Sequence, residues 1–447
     1  MEVATPLRYP PGREAPPARG IPPGREAPPA RGIPPGREAP PARGIPPGRE
    51  AAPARERLPA AQPPSGRQPP PAGPRKPSRS RLPSLTGLRI FGSVAVVLCH
   101  IGHGFASAPS LTVAEAYGYA GVSFFFMLSG FVLTWSDTAQ TARRFWWLRF
   151  ARIWPLQFLL MAFAYTAIAS HVKSPGPLGH VLELLLLQAW DPDNPTYAGG
   201  NGVTWSLSVE MFFYLVFPFA IVALRRLRGR GLAVTAAVTL GLMAVLPLIV
   251  AQAGVDTHSN LYYWLFFVFP PYRFGEFLLG MLLARAMVLG LRIPAPAGTA
   301  LVAAAGVGGL TWVMTSFTVR TGIPFVRPLV ALLAIPFFAA LLCSSATRDT
   351  QPGGWWLGSA PLRRLGDWSF ALYLIHAPAM VFTDRFGWWD NPGGPLGLAY
   401  LLAFLALVLA ASAALHYLVE KPVEGRLRRI PVGKQRRRQF WRHLPAA

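Results

Sequence analysis

Residues 116–136 read AYGYAGVSFFFMLSGFVLTWS, a stretch without one charged side chain. Crossing the hydrocarbon of a bilayer takes roughly 20 apolar helical residues, so this stretch is long enough to span. Working outward, charge-free runs of about that length or longer occupy 90–114, 153–172, 231–255, 293–319, 328–347 and 391–419. Of the 447 residues, 14% are charged and 52% hydrophobic, against about 25% charged in an ordinary soluble domain. A large soluble core could share that composition, but not its division into bilayer-length runs. The distribution predicts an all-α integral membrane fold.

The net charge of +23 would suggest nucleic acid in a soluble protein. Here the basic residues sit at the chain ends and between apolar runs, where they set membrane orientation. No soluble domain is left to carry a nucleic-acid groove, so no nucleic-acid partner is expected. Residues 1–84 form a Pro/Arg-rich arm with fifteen Lys or Arg against six Glu. Within it, residues 9–56 hold four copies of a twelve-residue unit, IPPGREAPPARG in its regular form. Almost nothing in that unit can fill a core, which predicts disorder. The arm lacks the early apolar segment of a signal peptide and is expected to stay cytoplasmic.

From Lys421 the tail carries nine Lys or Arg and one Glu. Both termini are then cytoplasmic, in the plasma (inner) membrane, and the number of crossings is even. The spans fall near 88–107, 117–136, 153–171, 204–224, 231–252, 261–285, 297–317, 327–346, 366–384 and 396–419. They predict ten transmembrane helices, a core over 85–422 and a basic cytoplasmic tail over 423–447. Segment 178–190, LGHVLELLLLQAW, is too short to span and reads as a re-entrant or interfacial helix. Pro270 and Pro271 must break the helix over 261–285, which is tolerated where the break lines a cavity. Cys99 and Cys343 lie in different apolar runs, so neither a disulfide nor a metal site is expected.

Ionisable residues at membrane depth are costly and point to function. Arg89 and His100 are eleven residues apart, about 1100° of helix, and so share a face with His100 about 16 Å deeper. A desolvated histidine stays neutral unless a carboxylate faces it, and a neutral imidazole is what a general base for a hydroxyl requires. His103, one turn on, reads as packing or polar lining. His376 in the ninth span should lie at a depth similar to His100. Glu210 lies in the fourth span behind the polar start NGVTWSLS; it could hold a histidine in its tautomer, receive a proton, or pair with an arginine for stability. Arg273 and Glu276 read as a buried ion pair that shapes the broken helix. Arg149 and Arg152 share a helix face at the inner surface, and paired guanidiniums suit a phosphorylated donor.

In order along the chain stand LRIFGSVAVVLCH with Arg89 and His100, GVSFFFMLSGF at 121–131, RFARIWP with Arg149 and Arg152, WSLSVE at 205–210, RFGEFLLGMLLA at 273–284, SFALYLIH ending at His376, and VEKP at 419–422. Together they resemble the acyltransferase-3 family of integral membrane O-acyltransferases, which modify surface polysaccharides, Nod factors, peptidoglycan-linked sugars and macrolides. One departure stands out. The family's Glu-Gln-Phe-Tyr after WSLSVE reads Met211-Phe212-Phe213-Tyr214 here, so a second acidic role does not transfer.

The resemblance implies a stand-alone member without an SGNH domain. It would move an acyl group from a cytoplasmic acyl-CoA-type co-substrate, acetyl-CoA foremost, to a hydroxyl of a carbohydrate or glycosylated natural product. No bound cofactor and no metal are expected. His100, Glu210 and His376 are the candidate catalytic residues; Arg89, Arg149 and Arg152 are the candidate donor-binding residues. The alternative is a transporter or flippase for a glycan or lipid, in which a broken helix and polar groups at the midplane are also expected.

Overall fold

The computed structural model describes residues 82–104, 112–137, 140–168, 174–291, 326–388 and 394–432, with short pieces between 302 and 313. The repeat arm, most of the seventh expected span and most of the basic tail lie outside the described residues. Among those described, every regular element is helical and none is a strand.

In chain order the helices are α1 Pro83–Gly104, α2 Thr112–Trp135, α3 Ala142–Ala167, α4 Gly176–Leu185, α5 Asn194–Ala198, α6 Trp205–Arg226, α7 Gly229–Gln252, α8 Asn260–Tyr263, α9 Pro270–Val288, α10 Val326–Asp349, α11 Ala360–Asp384, α12 Gly394–Leu415 and α13 Lys421–Arg428. Among the described residues, six stretches are long and apolar enough to cross a bilayer: Pro83–Ile101, Gly202–Arg226, Gly229–Gln252, Asn260–Val288, Ala331–Asp349 and Pro395–Arg428. The bundle is apolar on its outside as well as in its core. Leu215, Phe219, Val234, Val238 and Leu242 are all exposed, an arrangement suited to lipid rather than water.

The expected short segment forms the ten-residue α4, which Leu186 ends in the left-handed conformation at φ 56°. The double-proline break is equally direct. Phe269 takes an extended ψ of 118°, as a residue before proline prefers. Its N–H reaches Trp264 O at 2.8 Å, so Trp264–Val268 closes as a π turn before Pro270 starts α9 at the position proline favours. Arg273, one turn later, is 1% exposed. It sits 5.1 Å from the rings of both Phe126 and Phe267, donates to Ser123 Oγ at 3.1 Å and pairs with Glu276 at 3.2 Å. The expected ion pair therefore ties α2, the π turn and α9 together.

Two glycines let α2 and α9 touch backbone to backbone. A Cβ on Gly130 would lie 2.0 Å from Phe277 O, and one on Gly280 would lie 2.0 Å from Met127 O. Small residues at a crossing give this close approach in membranes. Near the start of α3, α13 packs on it. Arg144 donates to the carbonyls of Arg428 (2.6 Å) and Ile430 (2.9 Å), and Trp147 Nε1 donates to Leu427 O (2.8 Å). A cation thus meets the negative end of a helix.

Candidate active site

On α1 the outward face is marked by Phe91, 48% exposed, and Val94, 36%. His100 lies nine residues from Phe91, about 900° and so roughly opposite it. Arg89 and His100 are each half-buried, and the surface they keep faces the interior of the bundle.

His376 on α11 meets His100 there. Their ring nitrogens, His376 Nε2 and His100 Nδ1, are 3.3 Å apart; the ring centroids are 5.0 Å apart at 62°. His100 Nδ1 also lies 2.9 Å from Val96 O, and His376 Nδ1 lies 3.3 Å from Leu372 O. One tautomer pair satisfies all three contacts with both rings neutral. His376 carries its proton on Nδ1 for Leu372 O, and His100 carries its own on Nδ1, shared between Val96 O and His376 Nε2. The His100 lone pair is then on Nε2. That assignment comes from the hydrogen-bond geometry. In that pair the His376 ring fixes the His100 tautomer.

Arg89, Arg149 and Arg152 lie away from the histidine pair, where α1 and α3 meet Glu210 and Tyr214 of α6. Arg89 interacts electrostatically with Glu210, Tyr214, Arg152 and Glu420. Glu210 accepts from Tyr214 Oη at 3.0 Å and feels Arg89, Arg149 and Arg152. Its one hydrogen bond is thus to Tyr214, and the arginines act on it through their charge. Arg152 is occupied: it contacts Glu420 at 2.5 Å and Glu424 at 3.1 Å, with Phe370 5.5 Å from its guanidinium carbon. Arg89 and Arg149 differ, for each has a buried Nε without a hydrogen-bond partner. Arg149 lies over the rings of Phe145 and Tyr214 at 5.6 and 5.8 Å.

A pocket of about 450 Å³ opens beside Arg149, lined by Arg143, Trp147, Phe150, Trp154 and Tyr214 among others. Trp147, Phe150 and Trp154 stack along its wall, with centroids 5.5 and 4.9 Å apart. Tyr214 lines this pocket and donates to Glu210, so it joins the pocket to the arginine cluster. The side chain of His103 lies outside the described residues. Among those described, no cluster of His, Cys, Asp and Glu could hold a metal ion, and Cys99 and Cys343 are both buried and not joined in a disulfide.

Sequence reasoning did not single out Glu183, on the short helix α4. The residue is 1% exposed, accepts from Tyr165 Oη, and lies 3.3 Å from Asn201 N and 3.5 Å from Thr204 Oγ1. Gly200, at φ +55°, leaves the room: a Cβ there would lie 2.4 Å from Glu183 Oε2. A glutamate in LGHVLELLLL carries one visible signal, a charge inside an apolar run. Burial pushes its carboxyl above the usual range, opposed by the bonds from Tyr165 and Asn201. Glu183→Ala should cost about 1–3 kcal/mol by leaving buried donors without an acceptor, read as earlier thermal unfolding in detergent. Glu183→Gln, which keeps an acceptor oxygen, should cost less. A raised carboxyl holds its proton more tightly in the folded state, so its contribution is complete below the ordinary carboxylate range and fades as pH rises. Glu183→Gln should flatten that slope.

A family model described as an acyltransferase domain matches residues 82–417. Acyltransferase MdmB of Streptomyces mycarofaciens is 36% identical over 380 residues, covering 79% of this chain and 94% of that relative. Peptidoglycan O-acetyltransferase OatA of Listeria monocytogenes is 23% identical over 68% of this chain and 50% of its own length. O-acetyltransferase OatA of Staphylococcus aureus is 24% identical over 68% and 51%. The chain thus spans about half the length of these two O-acetyltransferases. No solved structure matches. With a family model covering most of the chain and a relative similar along nearly its whole length, the chain belongs to the acyltransferase-3 family and is a membrane enzyme that transfers acyl groups other than amino-acyl groups.

Proposed function

We propose that the chain moves an acyl group, acetyl foremost, from acyl-CoA on the cytoplasmic side to a hydroxyl of a carbohydrate or glycosylated natural product. The observation that carries the reading is the His100–His376 contact at 3.3 Å on the interior face of the bundle, above arginines with spare donors. Ten crossings of the plasma membrane with both termini cytoplasmic suit this arrangement, because they put the arginine cluster at the inner surface.

In this reading Arg149 and Arg89 hold the donor's phosphates, and the stacked aromatic wall beside Arg149 receives the donor's flat base. Arg152, already bonded to Glu420 and Glu424, acts by fixing α3 rather than by touching the donor. The acyl arm must then rise about 16 Å from Arg89 to His100, the length of eleven helical residues. His100 Nε2 takes the proton from the acceptor hydroxyl, and the oxygen attacks the thioester carbonyl. The C–S bond breaks, the acyl group stays on the acceptor oxygen, and the thiolate leaves with the proton from His100. Glu210 balances the arginine charge when the phosphates are absent.

Purified full-length protein given labelled acetyl-CoA tests the chemistry, and a deletion strain compared by mass for glycans and secreted metabolites finds the acceptor. A transporter or flippase would leave the label on CoA, and that result would overturn the reading. Arg149→Ala should raise the KM for acetyl-CoA about tenfold or more, the worth of a charge-assisted hydrogen bond. Unchanged donor dependence would remove Arg149 from the donor site.

A further inference from the structure

The outer flank of the histidine pair carries two buried amides that no step above uses. Pro378 lies inside α11 and has no N–H, so the Leu374 carbonyl loses its helical donor. Asn201 supplies a replacement, donating from Nδ2 to Leu374 O at 2.9 Å. That bond fixes the direction of the amide, because only its NH₂ end can serve a carbonyl. Its Oδ1 is left buried without a hydrogen-bond partner, on a residue 1% exposed. Gln188, also 1% exposed, repeats the pattern. Its Nε2 donates to Thr204 Oγ1 at 3.1 Å, and its Oε1 is buried without a partner. Thr204 links the two, since its hydroxyl donates to the Asn201 carbonyl at 2.8 Å.

Buried acceptors without donors are costly and rare, and each calls for an explanation. The next residue in the chain after Asn201 borders open space: a Cβ on Gly202 would meet no atom within 4 Å. The same turn reaches the histidine pair. Tyr373 Oη bonds Val203 O at 3.1 Å and Ser206 Oγ at 2.6 Å, and its ring centroid is 5.9 Å from that of His376.

We propose that Asn201 and Gln188 form a hydroxyl-binding subsite next to His376 that holds the acceptor, a deepening of the acyl-transfer reading on which it rests. Two fixed acceptor oxygens call for a ligand that presents O–H groups. A polyol such as a sugar fits them; a phosphate or carboxylate does not. One sugar hydroxyl is held at this subsite while another reaches His100. No bond is made or broken at the amides, which orient the acceptor.

The test separates this role from simple capping of Leu374. Pro378→Ala returns an N–H to α11, so Leu374 O no longer needs Asn201. Full-length variants are placed in a strain lacking the native copy. The ratio of acylated to unacylated product is read by mass, and thermal unfolding is read on purified protein. Asn201→Ala in the Pro378→Ala background should cut acylated product about tenfold or more, the usual loss when a buried polar partner is removed from a bound substrate, while unfolding as Pro378→Ala does. Gly202→Leu, which fills the open space and leaves both amides in place, should do the same. Wild-type product levels in both variants would overturn the subsite and leave the amides to buried water. Loss of product with equally early unfolding would assign Asn201 to structure and overturn it too. A wild-type chain that restores no acylated product overturns the acyl-transfer reading itself, and the subsite with it.

Discussion

His100→Ala should lower acyl transfer about 10²–10⁴-fold, the range that general-base assistance contributes, without loss of membrane insertion. The side chain is half-buried on the inward face of α1, and alanine is a good helix former, so the bundle has no reason to unfold. What disappears is the lone pair on Nε2 that Val96 O and His376 Nε2 orient through the Nδ1 proton. Donor binding should survive, because Arg89 lies about 16 Å away along α1 and Arg149 stands on a different helix, α3. Labelled acetyl-CoA with purified variant and wild-type protein decides it. Transfer at the wild-type rate would strip His100 of the base role.

Gly280→Val and Gly130→Val should each abolish the folded protein. At both positions the added Cβ would lie 2.0 Å from a carbonyl oxygen of the opposite helix, well inside contact distance. That oxygen is backbone and cannot swing aside, so α2 and α9 must separate along their length. Separation also parts Arg273 from Ser123 and from the Phe126 ring, which leaves a buried guanidinium short of partners. The cost should exceed the roughly 1–3 kcal/mol of ordinary overpacking. Recovery of a single monodisperse species from detergent measures it, with Gly241→Ala as control because its Cβ meets nothing within 4 Å. Equal recovery of all three variants would show that the α2–α9 crossing is looser than described.

Much of this was legible in the residues. The eleven-residue spacing of Arg89 and His100 put them on one face, and the double proline at 270 and 271 located the break that Phe269 and the π turn make. Short apolar segment 178–190 showed itself by length alone. Partners were harder to foresee. Nothing in the sequence says that Arg152 bonds Glu420 and Glu424, about 270 residues away, because an ion pair depends on which helix ends converge. Arg149 and Arg152 looked equivalent at i, i+3, and only their contacts divide them into one with a buried, unbonded Nε and one held by two glutamates. Asn201 stood in a polar run before WSLSVE, but its fixed orientation depends on Pro378, which belongs to another helix. Spacing within an element is written in the chain; pairing between elements is settled by packing.

The clasp between Arg152 and the segment 420–424 gives α13 and the turn before it a weight that their surface position conceals. Proteolytic nicking or a premature stop before Glu420 would strip both counter-charges from the Arg152 guanidinium, and would release Trp147 and Arg144 from the carbonyls of Leu427, Arg428 and Ile430. Affinity tags and reporter fusions therefore belong beyond Val432, where α13 has already closed on its neighbour.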